Sequence, residues 1–254
     1  MTAPTGPALA GTTAHEAFRA GRLQEAVTAL GDELRGHPGD ARRRTFLFEL
    51  LCFAGQYDRA ERQLDVLGAA SKEAGLGAML YKGALHAERT RAALFAEGAL
   101  PDAPARPVTG TLNGRRFRSL EDADPRLGPR LELFAAGGYL WLPFEHVARV
   151  RLEAPQRLRD TLWATAAVTT GPSFRGRELG EVLLPILAPG TAQVDDDLVR
   201  LGRMTGWTTL PDGREAPVGQ KLWLVDGEEI PLLEVRELVV DPLPPLPPTP
   251  EATT

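Results

Sequence analysis

Four histidines, one cysteine and a run of three aspartates are the side chains of this 254-residue sequence that could carry chemistry. His15, His37, His86 and His146 each lack a second ligand at a metal spacing such as H-E-x-x-H. Glu145-His146, just after Pro143-Phe144, is the one pair that suggests acid–base work. General base catalysis needs a positioned partner and a substrate pocket. The flanking residues suggest neither, and a loop or strand position with a structural hydrogen bond is the plainer reading. Asp195-Asp196-Asp197 offers oxygens to a hard cation but lacks the glycine and distal glutamate of a calcium loop. It reads instead as the cap of a helix beginning near Leu198. Cys52 sits among apolar neighbours with nothing to stabilise a thiolate, so it reads as a buried structural cysteine. There is no P-loop, no G-x-G-x-x-G after a strand and no G-x-S-x-G elbow. Six carboxylates between Asp226 and Asp241 read as solvated strand faces. No catalytic residue, cofactor or metal site is therefore expected.

The elements must then carry the function themselves. Arg44 to Leu67, RTFLFELLCFAGQYDRAERQLDVL, reads as two helices. The first is apolar nearly all round and must be buried or grip a partner. Gly55 breaks the run. The second is amphipathic, with Ala60, Leu64 and Leu67 on one face. The pair has a copy 34 residues earlier: Gly21 falls on Gly55, Leu23 on Tyr57, Ala26 on Ala60 and Leu30 on Leu64. That is the tetratricopeptide period, in which small residues let paired helices cross closely. Helices are predicted at about 13–20, 23–36, 41–54 and 57–70, with Thr12 or Thr13 capping the first and Asp40 the third. A fifth, about 74–97, has Leu76, Leu80, Leu85, Leu94 and Phe95 as expected core and supplies a third layer.

Three prolines in Leu100–Pro107 stop the helix and mark a domain boundary. Beyond it Asn113-Gly114 signals a hairpin between strands at about 108–112 and 115–118. A short helix over 124–136 is predicted from Leu127, Leu131 and Phe134. Strands follow at 139–142, 147–153, 163–169, 179–187, 221–226 and 230–240, with Pro143 and Pro185 at strand ends or edges. The expected fold is thus α+β: a mobile N-terminus (1–12), a TPR-like helical repeat domain (13–100), a linker (101–107), a compact β-rich domain (108–241) and a proline-rich tail (242–254).

Composition narrows the function. The net charge is −5, with 12 basic and 12 acidic side chains before residue 101 and 17 and 22 after it. No basic face suits many phosphates, so nucleic acid is not an expected partner. No apolar run approaches the roughly 20 residues that span a bilayer. The N-terminus has no signal-peptide pattern, and one cysteine fits a reducing compartment. A cytoplasmic protein is expected. Helical repeats bind peptides or helices in a groove lined by the inner helix of each pair. The candidates here are His15, Phe18, Arg42, Thr45, Glu49, Phe53, Leu76, Met79 and His86.

The helical stretch, taken with GYLWLPFEHVARVRLE (138–153), RLRDTLWA (157–164), GEVLLPILAPGT (180–191), LGRMTGW (201–207) and VGQKLWLVDGEEIPLLEVREL (218–238), resembles the ImpE/TagJ (SciE-type) family of type VI secretion accessory proteins. Matches run in order across residues 13–240. The resemblance implies a bacterial, cytoplasmic, non-enzymatic accessory. It would bind the N-terminal helical segment of the small contractile-sheath subunit and be linked to the AAA+ unfoldase ClpV that recycles sheath. It implies no catalytic residues. Two rival readings stand beside it: a general peptide-binding scaffold unrelated to secretion, and an enzyme using the β-rich domain around His146. A deep polar pocket at His146 would favour the enzyme.

Overall fold

A computed structural model describes residues 13–98, 105–174, 176 and 178–243. The expected mobile N-terminus, the cap at Thr12, residues 101–104 of the linker and the tail from residue 244 lie outside the described residues.

Five helices open the chain: α1 (Thr13–Arg19), α2 (Leu23–Gly36), α3 (Ala41–Phe53), α4 (Tyr57–Gly68) and α5 (Lys72–Glu97). Their ends follow from local chemistry. Asp40 caps α3 by accepting from the backbone N–H of Arg42 and Arg43, each at 3.0 Å. Ser71 caps α5 through Ala74 N–H at 3.1 Å. Gly21 and Gly55 close the two repeat turns at φ +78° and +66°, a region that costs other residues strain. Ala26, Leu30, Ala60 and Leu64, the repeat positions, are all buried.

The β-rich part has one eight-stranded antiparallel sheet. Its strands are β1 (Gly110–Leu112), β2 (Arg115–Phe117), β4 (Arg130–Ala135), β5 (Gly138–Pro143), β6 (Val147–Leu152), β7 (Trp163–Thr170), β8 (Gly180–Pro185) and β13 (Glu237–Val240), in the order β2-β1-β13-β6-β7-β8-β4-β5. A three-stranded sheet joins β3 (Leu120–Asp122), β11 (Leu222–Val225) and β12 (Glu228–Pro231). A ribbon pairs β9 (Thr205–Thr209) with β10 (Glu215–Gly219) after the short α6 (Asp197–Arg200). Asn113 and Gly114 turn the β1–β2 hairpin at φ 48° and 82°, as their dipeptide demands.

Period-two alternation splits the main sheet between two cores. Leu131, Leu133, Ala164, Ala166, Val182 and Leu184 face one cluster, which also takes Trp223 from β11. Phe134, Trp163 and Leu183 face the other way and join the cluster built by α1–α5. The helices therefore cover one face of the sheet.

Three expectations are corrected. Residues 124–136 are not a helix. A turn through Pro125 and Gly128 (φ +55°) leads into β4, which is buried on both faces; Leu127 precedes the strand and Leu131 and Phe134 lie on its opposite faces, yet their spacings of four and three mimic a helical period. The expected strand 230–240 is broken by a helical turn at Leu232–Glu234 between β12 and β13. Leu76 and Leu80 of α5 are not core but 63% and 56% exposed. Strands β3, β9 and β10 carry too few alternating apolar residues to have been read.

Candidate partner-binding surface

The first half of α5 is a wall with an opening on each side. On one side a groove of about 480 Å³ runs between α3, α4 and α5. Ala74, Gly77, Ala78 and Tyr81 line it from α5, at the spacing of one helix face; Thr45 and Phe48 line it from α3 and Val66 from α4. The α5 wall is built mostly of small residues, so an incoming chain can come close to its backbone. On the other side Leu76, Met79, Leu80 and His86 border a wider cleft closed by Phe134, Gly137 and Leu183 of the sheet. Val66 (51%), Leu76, Met79 (69%) and Leu80 leave this surface unusually apolar.

Aromatic stacking ties the groove to the sheet. Phe48, Tyr81 and Trp163 lie with ring centroids 5.8–6.4 Å apart. The Arg159 guanidinium, from the turn before β7, sits 5.2 Å over the Tyr81 ring and lines the groove. Arg159 Nε is 3.4 Å from Glu49 Oε1. Burial pushes the Glu49 carboxyl up to about 7, with Arg159 pulling the other way.

The structure separates the residues that the repeat pattern grouped. Thr45 lines the groove, and Leu76, Met79 and His86 line the neighbouring cleft. Arg42 is exposed in the first turn of α3. His15 and Phe18 meet instead at Phe46, with centroids 4.5 and 5.4 Å away, and Arg203 covers the Phe18 ring at 4.6 Å. Glu49 is turned inward, and Phe53 is fully buried in the helical core, because α3 is apolar on nearly every face and is enclosed by both neighbours and the sheet. Residue patterning missed Val66, Tyr81 and above all Arg159, which lies 78 residues beyond the tyrosine whose ring it covers. No sequence period connects them.

The richest cluster of ionisable groups is also one that the sequence did not signal. Arg91 of α5 holds Glu132 of β4 with two bonds of 2.6 and 2.9 Å and donates to Leu187 O at 2.9 Å. Lys221 bridges Glu132 and Asp122, each at 2.7 Å. Tyr139 donates to Glu132, and Trp163 Nε1 donates to Glu88 at 3.0 Å. Burial alone would raise the Glu132 pKa; Arg91 and Lys221 outweigh it and hold the carboxyl at about 2. Burial wins at Asp122, which rises to about 6 against the pull of Lys221. Each charge is matched inside the fold, which makes this a junction between helices and sheet.

His146 Nδ1 lies 2.9 Å from Ser173 Oγ, which donates to Glu145 O, and the imidazole packs on Phe174. Glu145 is spent on Arg106. This is the structural hydrogen bond expected there. Asp196 caps α6 through Leu198 and Val199 N–H, as predicted, and Asp197 accepts from Gln24 N–H. Cys52 is buried and free, and its thiol is pushed well above the ordinary value. Among the described residues no group of His, Cys, Asp and Glu could hold a metal ion, and no helix is long and apolar enough to cross a membrane.

A tetratricopeptide-type helical array packed on an antiparallel β-rich unit is the class of protein that this fold defines; the tetratricopeptide repeat model matches residues 17–81. The chain belongs to the ImpE protein family, whose model matches residues 114–239. It is 35% identical, over 90% of its own length and 91% of the other's, to the type VI secretion system accessory component TagJ of Pseudomonas aeruginosa. The crystal structure of a Vibrio parahaemolyticus protein has the same fold, with a TM-score of 0.79 at 22% identity, covering 91% of this chain and 98% of that one.

Proposed function

We propose that this protein is a non-enzymatic, cytoplasmic accessory of type VI secretion. It binds the small contractile-sheath subunit through that subunit's N-terminal helix and assists sheath turnover by the AAA+ unfoldase ClpV. Its working parts are a helical repeat domain spanning residues 13–100 and a β-rich domain spanning 108–241. The observation that carries the reading is the apolar surface of α4 and α5: Val66 of α4 and Leu76, Met79 and Leu80 of α5 stand in water beside a groove whose α5 wall is built mostly of small residues. An amphipathic helix can lay its apolar face there. Family membership and 35% identity to TagJ supply the secretion context. The packed environment of His146 and the mutual neutralisation of Arg91, Glu132, Lys221 and Asp122 both count against the enzyme reading.

The test is calorimetric binding of the full-length protein to a peptide from the N-terminus of the small sheath subunit of the same bacterium. Val66→Asp places a charge in the groove, and Met79→Asp places one in the neighbouring cleft. Binding lost in Val66→Asp supports the groove. Loss in Met79→Asp alone moves the seat to the cleft. A wild-type protein that binds no peptide removes the sheath contact.

A further inference from the structure

The groove between α3, α4 and α5 is apolar but not neutral. Its ionisable lining consists of Arg44, Arg159 and the Tyr81 phenol, and no carboxylate lines it. Arg44 spends its donors on uncharged acceptors, Gln63 Oε1 at 2.8 Å and Pro38 O at 2.6 Å. Arg159 Nε is buried without a hydrogen-bond acceptor. Its nearest counter-charge, Glu49, is 3.4 Å away on the protein side, and burial keeps that carboxyl partly protonated near neutral pH. Asp160, the next residue, accepts instead from the backbone N–H of Gln156 and Arg157 at 2.9 and 2.8 Å. Two guanidinium groups therefore border an apolar trough with their charge incompletely answered.

We propose that this groove selects a helix whose apolar face carries an aspartate or glutamate, seated against Arg159 with Arg44 nearby. The inference rests on the groove reading above and adds the chemistry of the partner. A carboxylate that enters the trough leaves water and gains a planar, multi-donor guanidinium, which grips carboxylates more strongly than a lysine does. A lysine or arginine at the same position would meet two like charges in a poorly solvated site, so the groove rejects basic helices as well as accepting acidic ones. The stacking of Arg159 on Tyr81 holds the guanidinium in place before the partner arrives, which reduces the ordering that binding requires.

Calorimetry on the full-length protein tests this with two probes: the sheath subunit's N-terminal peptide, and the same peptide with every Asp and Glu replaced by Asn and Gln. The native peptide should bind about tenfold more tightly than the amide peptide, a gap of about 1.4 kcal/mol. Arg159→Gln should remove most of that gap, whereas Arg159→Lys should keep part of it. Arg44→Gln gives a second reading from a position whose removal leaves the Glu49 contact in place. Equal affinity for the two peptides overturns the proposal, as does equal weakening of both by Arg159→Gln. In either case the groove reading survives if Val66→Asp still abolishes binding. A native peptide that binds regardless of Val66→Asp, or does not bind the wild-type protein, overturns both.

Discussion

Arg91 and Glu132 meet side-on across the junction of α5 and β4, with Nε–Oε1 at 2.6 Å and Nη2–Oε2 at 2.9 Å, and their side chains are 5% and 0% exposed. A pair so dry is costly to break, because the partner left behind cannot regain water. Arg91→Ala should therefore destabilise the protein by about 3–5 kcal/mol in urea unfolding. Loss of under about 1 kcal/mol, the size of a surface pair, would mean that water reaches the junction.

The two repeat-turn glycines also serve the β-rich part. A side chain at Gly55 would meet Ala192 Cβ at 2.7 Å, and one at Gly21 would collide with Leu198 Cδ2. Gly55→Ala combines this clash with a positive φ and should cost about 1–3 kcal/mol from strain alone. Gly114→Ala, also at positive φ but in open space, is the control. Gly55→Ala should cost more, and Ala192→Gly should relieve the excess. Equal costs that Ala192→Gly does not change would show that the loop yields freely.

Leu51 is completely buried in the last turn of α3. Leu51→Ala should lower stability by about 2–5 kcal/mol, the range for a leucine truncated in a close-packed core. A thermal midpoint equal to wild type would contradict the central place of this helix.

Glu49 gives a pH signature. Its folded-state carboxyl titrates at about 7 against an ordinary 4.5, because burial disfavours its charge. Between those values the folded protein holds the proton more tightly than the unfolded chain does, so stability falls as pH rises through this window. The effect is on the order of 1–3 kcal/mol at most. Glu49→Gln should flatten the stability profile between about pH 4.5 and 7. Profiles that run parallel for wild type and variant would place the titration elsewhere.

Much of the helical half was legible. The 34-residue spacing of Gly21 and Gly55, the Asp40 cap and the apolar run of α3 are local signals, and local hydrogen bonding and burial decided them. The Asn113-Gly114 hairpin and the α6 cap at Asp196 were read for the same reason. Leu76 and Leu80 misled because helical spacing identifies an apolar face without saying whether anything covers it. The 124–136 segment misled because Leu127, Leu131 and Phe134, from the turn and from opposite faces of β4, fall at helical spacing although no single face holds all three.

The sequence by itself determined the five helices of the first half, their repeat and the Asn113-Gly114 hairpin, which rest on spacing, caps and turn residues legible along the chain. Tertiary structure alone decided what meets what. Arg159 comes to Tyr81, Arg91 to Glu132 and Lys221 to Asp122 only when the sheet folds under the helices, across separations of 41 to 99 residues. Such contacts arise from long-range packing, which no local period encodes, and they shape both the junction and the groove.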